Sequence, residues 1–398
     1  MTWKREVIEE GPYNALSEIL LIILTAASLF FQFYPGAAIF LLCIVYFRFH
    51  KWYLENIGKE LTIKQPPKRV RLHSEEKGYW DLHFDNGGIP VWGAELRFTF
   101  KDIVQPAEHP FDTYHGGNIE VSIPFTMGRG ESGKVSLPIV GKRRGLCRLT
   151  RVQILIPHLF GSGKVLMELM EPVKSTIMVF PTPFPVILDN KHDSHDIGEV
   201  PALHSLFYDV FQPIGTREYV SGDRFQDIHW KASARTQALQ TKIFAPAVKK
   251  EWMIAVNLSE KYSITRDLEK IIKHTAYLMH LAVEQQISFS LVVNIGSQGI
   301  TPFYYLPSGT GRKHQQKALE MLSALSTDDA TIPFHIVLQH LYIRQLVPSV
   351  LITAGKLSVE SENRLSKIRA GQREIYSMHI EDKQGAVTLW KQRSKIPS

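Results

Sequence analysis

The residues best equipped for chemistry stand together between Gly215 and Arg235: Arg217, Glu218, Tyr219, Gly222, Asp223, Asp227, His229, Trp230 and Arg235. Glu218, Asp227 and His229 are acid/base types that could serve a hydrolase. Such chemistry needs facing partners, and the spacing supplies few. On a helix, residues 227 and 229 are two apart and do not face one another. Asp223 is placed to cap a helix, with Gln226 three positions on completing a capping box. No serine or cysteine nucleophile has an evident base beside it in sequence. The plainer expectation is a brace of Arg217, Glu218, Asp223 and Arg235, clamping this segment to the first strand of the α/β domain with Trp230 filling the seam, or else a partner-docking surface. No catalytic residue, metal or cofactor is assigned.

The elements positioning these residues follow from local pattern. Arg217 to Val220 is a short β-type run, Ser221-Gly222 a turn, and a helix is expected from Asp223 to about Arg235, with Phe225, Ile228 and Ala232 on one face. Downstream, Met253–Leu258, Phe289–Val293, Val350–Ile352 and Ile375–Ile380 read as buried parallel strands. Helical patterns alternate with them: a stripe from Leu268 to Ala282, then about Thr310–Leu325, Pro333–Leu346 and Ser358–Ala370. That order predicts a doubly wound α/β domain.

The run Gly215-Thr216-Arg217-Glu218-Tyr219, then Gly222-Asp223, then Ile228-His229-Trp230-Lys231-Ala232-Ser233-Ala234-Arg235 resembles the signature of the bacterial domain-of-unknown-function 58 family. Arg144-Gly145, His158-Leu159-Phe160-Gly161 and Ile177–Pro181 precede it in the same order. Members of that family often sit beside genes for MoxR-type AAA ATPases, so the resemblance implies such an ATPase as partner. The α/β region also resembles a von Willebrand factor A domain, whose metal site begins with D-x-S-x-S and ends in a T-D-G turn. Here Asn257 replaces the leading aspartate, Ser259 is kept, Lys261 replaces the second serine, and Thr353-Ala354-Gly355 lacks its aspartate. A hard cation wants anionic oxygen ligands, so no metal is expected at Asn257, Ser259, Lys261 and Ala354.

With 398 residues the chain has room for two soluble domains and an anchor. Its formal charge of +7 permits contact with lipid, nucleic acid or an acidic protein and selects none of them. A nucleic-acid binder rests on that charge alone, and no nucleic-acid partner is assigned. Cys43 and Cys147 offer no disulfide framework.

Residues 14–33 are apolar, Tyr34-Pro35-Gly36 breaks the run, and Ala37–Phe47 reaches spanning length where Arg48, His50 and Lys51 snorkel, which predicts an anchor of two transmembrane helices, about 14–33 and 36–53, within residues 1–60. Lys4 and Arg5 precede this hairpin, and Arg48, Lys51 and Lys59 follow it. Both ends are therefore expected on the cytoplasmic face of a bacterial cell membrane, multi-pass, in contact with lipid. From residue 61 to 181 the pattern alternates, as in Ala94, Leu96, Phe98 and Phe100, and predicts an antiparallel β-sandwich. Gly161-Ser162-Gly163-Lys164 lacks the first glycine and the Ser/Thr of a phosphate loop and reads as a turn. The basic run Lys142, Arg143, Arg144, Arg148 and Arg151 could face anionic lipid. Residues 182–213 read as a linker, and Lys191–Asp196 within it as a hydrophilic loop; residues 214–398 hold the signature and the α/β domain.

Overall fold

The computed structural model describes residues 2–8, 15–64, 69–114, 116–159, 163–188, 213–244, 251–260, 263–371, 373–381 and 384–391. It divides into two compact units, Met1–Phe180 and Pro181–Ser398.

The first unit opens with strand β1 (Trp3–Ile8) and helices α1 (Ala15–Phe30) and α2 (Tyr34–Asn56). Then come β2 (Leu61–Lys64), β3 (Arg69–Leu72), β4 (Lys77–Asn86), β5 (Val91–Lys101), β6 (Val104–Pro106) and β7 (Phe111–Tyr114). The unit closes with β8 (Asn118–Met127), β9 (Glu131–Gly141), β10 (Gly145–Pro157), β11 (Lys164–Leu169) and β12 (Thr176–Val179). One sheet runs β1-β11-β10-β5-β8-β7, with β12 and β3 attached; the other runs β2-β4-β9-β6. The alternation works as expected, because a strand's period of two sends every second residue inward. Trp80, Leu82 and Phe84 of one sheet and Leu96, Phe98, Phe100, Val121 and Ile154 of the other belong to a single buried core.

The strand β1 departs from the sequence reading, which assigns residues 1–60 to the anchor alone. It pairs antiparallel with β11 from Trp3 opposite Leu169 to Ile8 opposite Lys164, so residues on both sides of the helices complete one sheet. Arg5 on β1 donates from Nη1 to the Glu55 carbonyl at 2.8 Å and from Nε to the Ile57 carbonyl at 3.1 Å, and it also reaches the Leu54 carbonyl. These are the carbonyls that the end of a helix leaves without an internal partner. At the same joint His50 of α2 stacks on His158 at 4.0 Å between ring centres. Burial and the neighbouring His50 hold the His158 imidazole below its ordinary value.

The break between the helices also falls slightly earlier than expected. Gln32 takes a left-handed turn (φ 59°), and Tyr34-Pro35 opens α2, where a proline's missing N–H costs nothing. Arg48 of α2 lies 3.4 Å from Glu18 of α1, bringing the end of one helix to the start of the other. By length and composition α2, with 23 residues, can cross a membrane; α1, with 16, is a shorter apolar helix.

The second unit contains β13 (Val186–Leu188), β14 (Pro213–Glu218), α3 (Trp230–Thr236), β15 (Gln240–Phe244), β16 (Trp252–Val256), β17 (Ser259–Glu260) and β18 (Ser263–Ile264). These are followed by α4 (Leu268–Glu284), β19 (Phe289–Gly296), β20 (Phe303–Gly309), α5 (Gly311–Ala324) and α6 (Phe334–Ile343). Last are β21 (Val350–Ala354), α7 (Val359–Arg369), β22 (Glu374–Glu381) and β23 (Gln384–Leu389). Its main sheet has the order β13-β23-β22-β21-β16-β19-β20. The four expected strands, β16, β19, β21 and β22, form its parallel centre. Antiparallel β20 and β23 extend it on either side, and β13, inside the expected linker, adds in parallel beyond β23. Helices α6 and α7 cover Met253, Ala255, Val292, Leu351 and Ile375 in one buried cluster. The His/Asp loop at 191–196 and Lys261 lie outside the described residues.

Candidate functional site

The signature forms a small module of its own. Strands β14 and β15 pair antiparallel, with Arg217 opposite Thr241 and Glu218 opposite Gln240. The loop between them folds back onto β15: Tyr219 N–H donates to the Leu239 carbonyl, and His229 N–H to that of Gln240. Asp223 is the hub. Its Oδ1 accepts from Arg217 Nη2 at 2.6 Å, and its Oδ2 accepts from Thr241 Oγ1 at 2.9 Å and from Val220 N–H at 3.2 Å. Led by the Arg217 hydrogen bond, these donors hold the carboxyl below the ordinary aspartate value. Gly222 takes φ 119°, open to glycine and strained for other residues, and so lets the loop turn at that point.

This geometry corrects the expected helix. Asp223 and Gln226 cap nothing; residues 225–227 make a single 3-10 turn, and α3 starts only at Trp230. His229 is the cap, its Nδ1 accepting from Ala232 N–H at 3.1 Å. Among the described residues no hydrogen bond joins Glu218, Asp227 and His229 to one another. Of the expected brace, Arg217 and Asp223 meet at 2.6 Å, while neither Glu218 nor Arg235 enters an ion pair with them. Trp230 fills no seam, being 63% exposed, and Phe225 is 69% exposed. Residues missed by the sequence reading are Thr241, which holds Asp223, and Ser233, whose Oγ accepts from Gln240 N–H at 2.9 Å and so ties α3 to β15.

The other expected site lies at the carboxyl ends of the parallel strands. Asn257, directly after β16, is 4% exposed. Its Oδ1 accepts from Ser259 N–H, Ser259 Oγ and Asn294 Nδ2 at 3.1, 2.7 and 2.9 Å, and its Nδ2 donates to the Lys356 carbonyl at 2.5 Å. Asn294 Oδ1 in turn accepts from Leu258 N–H at 2.7 Å. Ala354, fully buried, accepts from Asn257 N–H at 2.7 Å. At Gly355, with φ 98°, any side chain would collide with the Asn257 carbonyl. Above this network Lys356 Nζ meets Glu260 at 2.5 Å. A divalent cation does not fit here: the amide oxygen is fully engaged, the facing amide nitrogen is a donor, and an ammonium is bound to the nearest carboxylate. Among the described residues no three His, Cys, Asp or Glu side chains are grouped to hold a metal.

Within the basic run of the first unit, Lys142 pairs with Glu75, Arg143 with Asp102 and Arg151 with Glu168.

Residues 215–386 match the family described as protein of unknown function DUF58. No curated protein matches the chain. Among solved structures, a cohesin module from a Clostridium perfringens family 33 glycoside hydrolase is similar at 13% identity, covering 30% of this chain and 95% of that one, with a TM-score of 0.21. A non-cellulosomal cohesin from the archaeon Archaeoglobus fulgidus is similar at 17% identity, covering 30% and 91%, with a TM-score of 0.18.

Proposed function

Taking as premise that residues 215–386 belong to the DUF58 family, we propose that this protein is a non-enzymatic, membrane-anchored adaptor. It presents its second unit, a von Willebrand factor A-like domain without a metal site, as a docking surface for a protein partner. The observation that carries the anchor is the pairing of β1 with β11. A chain that crossed a bilayer once between Ile8 and Leu61 would leave the two strands on opposite sides, and no ladder could form. The number of crossings is therefore even. Zero is disfavoured, because Ile19, Leu20, Ile23 and Phe30 of α1 and Ile39, Leu42 and Val45 of α2 are all more than half exposed, an apolar surface of the kind that seeks lipid. Two crossings remain: α1 and α2 form a hairpin, and α1's shortfall against a hydrocarbon core of about 30 Å is met by local thinning of the bilayer. Lys4, Arg5, Arg48, Lys51 and Lys59 flank the open end of that hairpin and support a cytoplasmic orientation for it.

The docking role draws support from the signature module, where Asp223, Arg217 and His229 are engaged in holding the loop while Phe225 and Trp230 face solvent. The family resemblance suggests a MoxR-type AAA ATPase as the partner. Two experiments test the reading. A reporter fused after Ser398 is expected to read as cytosolic, and an external signal would overturn the topology. An AAA ATPase is expected to co-purify from gentle detergent extracts, and its absence under conditions that keep such complexes would overturn the docking role.

A further inference from the structure

We infer that the outward face of the α6–α7 pair lies against an anionic lipid surface, an inference that rests on the membrane-anchored reading above and adds a second contact with the bilayer. Helix α6, Phe334–Ile343, holds no Asp, Glu, Lys or Arg, whereas α3, α4, α5 and α7 each carry at least two such residues. A helix of that composition is ordinarily buried all round. This one is buried on one side only. Phe334, Val337, Leu338 and Leu341 enter the core. At about 100° per residue, Ile336, Gln339 and Ile343 then fall within about 30° of the opposite direction, and Ile343 is 65% exposed. On α7, Ser361, Leu365 and Ile368 are buried. The same count turns Val359, Asn363 and Ser366 outward, and Val359 is 73% exposed. The side chains that point straight out from this two-helix layer are thus uncharged.

Cations border the layer. Arg364 and Lys367 of α7 form one wall of a shallow groove whose other side is Leu338, Tyr342 and Ile343, and Arg344 follows α6 directly. Among the described residues none of the three cations is in an ion pair, while Glu360, on the same side of α7, lies 3.0 Å from His335. The stems of Arg364 and Lys367 can lie along the groove with their charged ends at its mouth, the posture by which long cationic side chains reach phosphates from an apolar contact. An apolar, uncharged surface with a cationic margin has the make-up of an element that lies in the lipid interface. Tyr342, 47% exposed, is a residue type enriched there. Two copies meeting across a two-fold axis would bring their cationic margins together, which disfavours self-association. A single peptide in the groove would leave Ile336 and Val359, which turn away from it on either side, uncovered. A plane meets both, and the α1–α2 hairpin keeps one within reach.

The test uses the full chain with Cys43 and Cys147 replaced by alanine and a bimane dye on one introduced cysteine, at Ile343→Cys or, for comparison, at Lys317→Cys on α5 or Ile39→Cys on α2. Nanodiscs are made of phosphatidylcholine alone or of equal parts of phosphatidylcholine and phosphatidylglycerol, each with a trace of lipid carrying a nitroxide near its headgroup. The dye at position 343 is expected to be quenched about threefold more in the anionic discs than in the neutral ones, and the dye at 317 in neither. Charge reversal by Arg364→Glu with Lys367→Glu should bring the signal at 343 down to the neutral level, with circular dichroism unchanged. A dye at 343 quenched no more than at 317, or equally in both kinds of disc, or undiminished by charge reversal, would overturn the inference. So would a dye at 343 that lipid leaves unquenched while a co-purifying protein shields it from soluble iodide. The dye at 39 keeps the two readings apart. Quenching there without quenching at 343 leaves the anchor standing and removes the α6–α7 contact; quenching at 343 without quenching at 39 removes the anchor and leaves the contact.

Discussion

At the scale of single residues, the buried amide of Asn257 both accepts and donates, which a carboxylate could not do. Asn257 Nδ2 donates to a carbonyl at 2.5 Å, and a carboxylate there would put two acceptors face to face. Asn257→Asp is therefore expected to lower stability by about 3 kcal/mol, the cost of a buried charge with a lost donor, and magnesium should restore none of it; denaturant unfolding with and without magnesium checks both halves. Asp223 gives a second expectation. Its pKa is lowered in the fold, chiefly by Arg217, so the folded carboxyl binds protons less readily than the unfolded one. Its stabilising contribution is full above the ordinary value of about 3.9 and is lost as pH falls through that value towards the folded one. Hydrogen exchange at the Val220 amide should accelerate across that acid range in the native protein, and Asp223→Asn should remove the dependence. Asn257 and Ser259 could be singled out from the sequence because they follow a continuous apolar strand, and the structure joins them by hydrogen bonds. The role of Asp223 could not, since Thr241, eighteen residues on, competes for the same carboxylate, and a capping box is read from neighbours alone.

At the scale of elements, the strands buried on both faces could be read directly, because Met253 to Val256 and Val350 to Ile352 are continuous apolar runs that water would penalise. Strand β1 could not: Trp3-Lys4-Arg5-Glu6-Val7-Ile8 is too short and too charged to be told from the flank of an apolar helix, and only its partner β11 defines it. Nor does the composition of β13 and β23 signal that they extend the parallel sheet. The link from β1 to α2 runs through one guanidinium, so Arg5→Ala should free the carbonyls of Leu54, Glu55 and Ile57. The expected loss is about 2 kcal/mol, from hydrogen bonds to a charged donor, seen as a lower unfolding midpoint in detergent and faster proteolysis near residue 57.

At the scale of the whole molecule, the proposed even number of crossings is open to a chemical check. Glu6 and Leu166 are directly opposed in the β1–β11 ladder, within the separation a disulfide spans. With Cys43 and Cys147 replaced by alanine, cysteines at positions 6 and 166 should cross-link in intact membranes under mild oxidant. A chain crossing once would give no such product.

The same ladder bears on how the protein is made. Residues 3–8 leave the ribosome long before Lys164–Leu169 exist to receive them, so β1 must wait while its acceptor edge is unfilled. Crowding nascent chains together then offers each vacant edge a neighbour's strand as readily as its own. Overproduction should consequently yield strand-exchanged dimers whose proportion rises with the rate of synthesis.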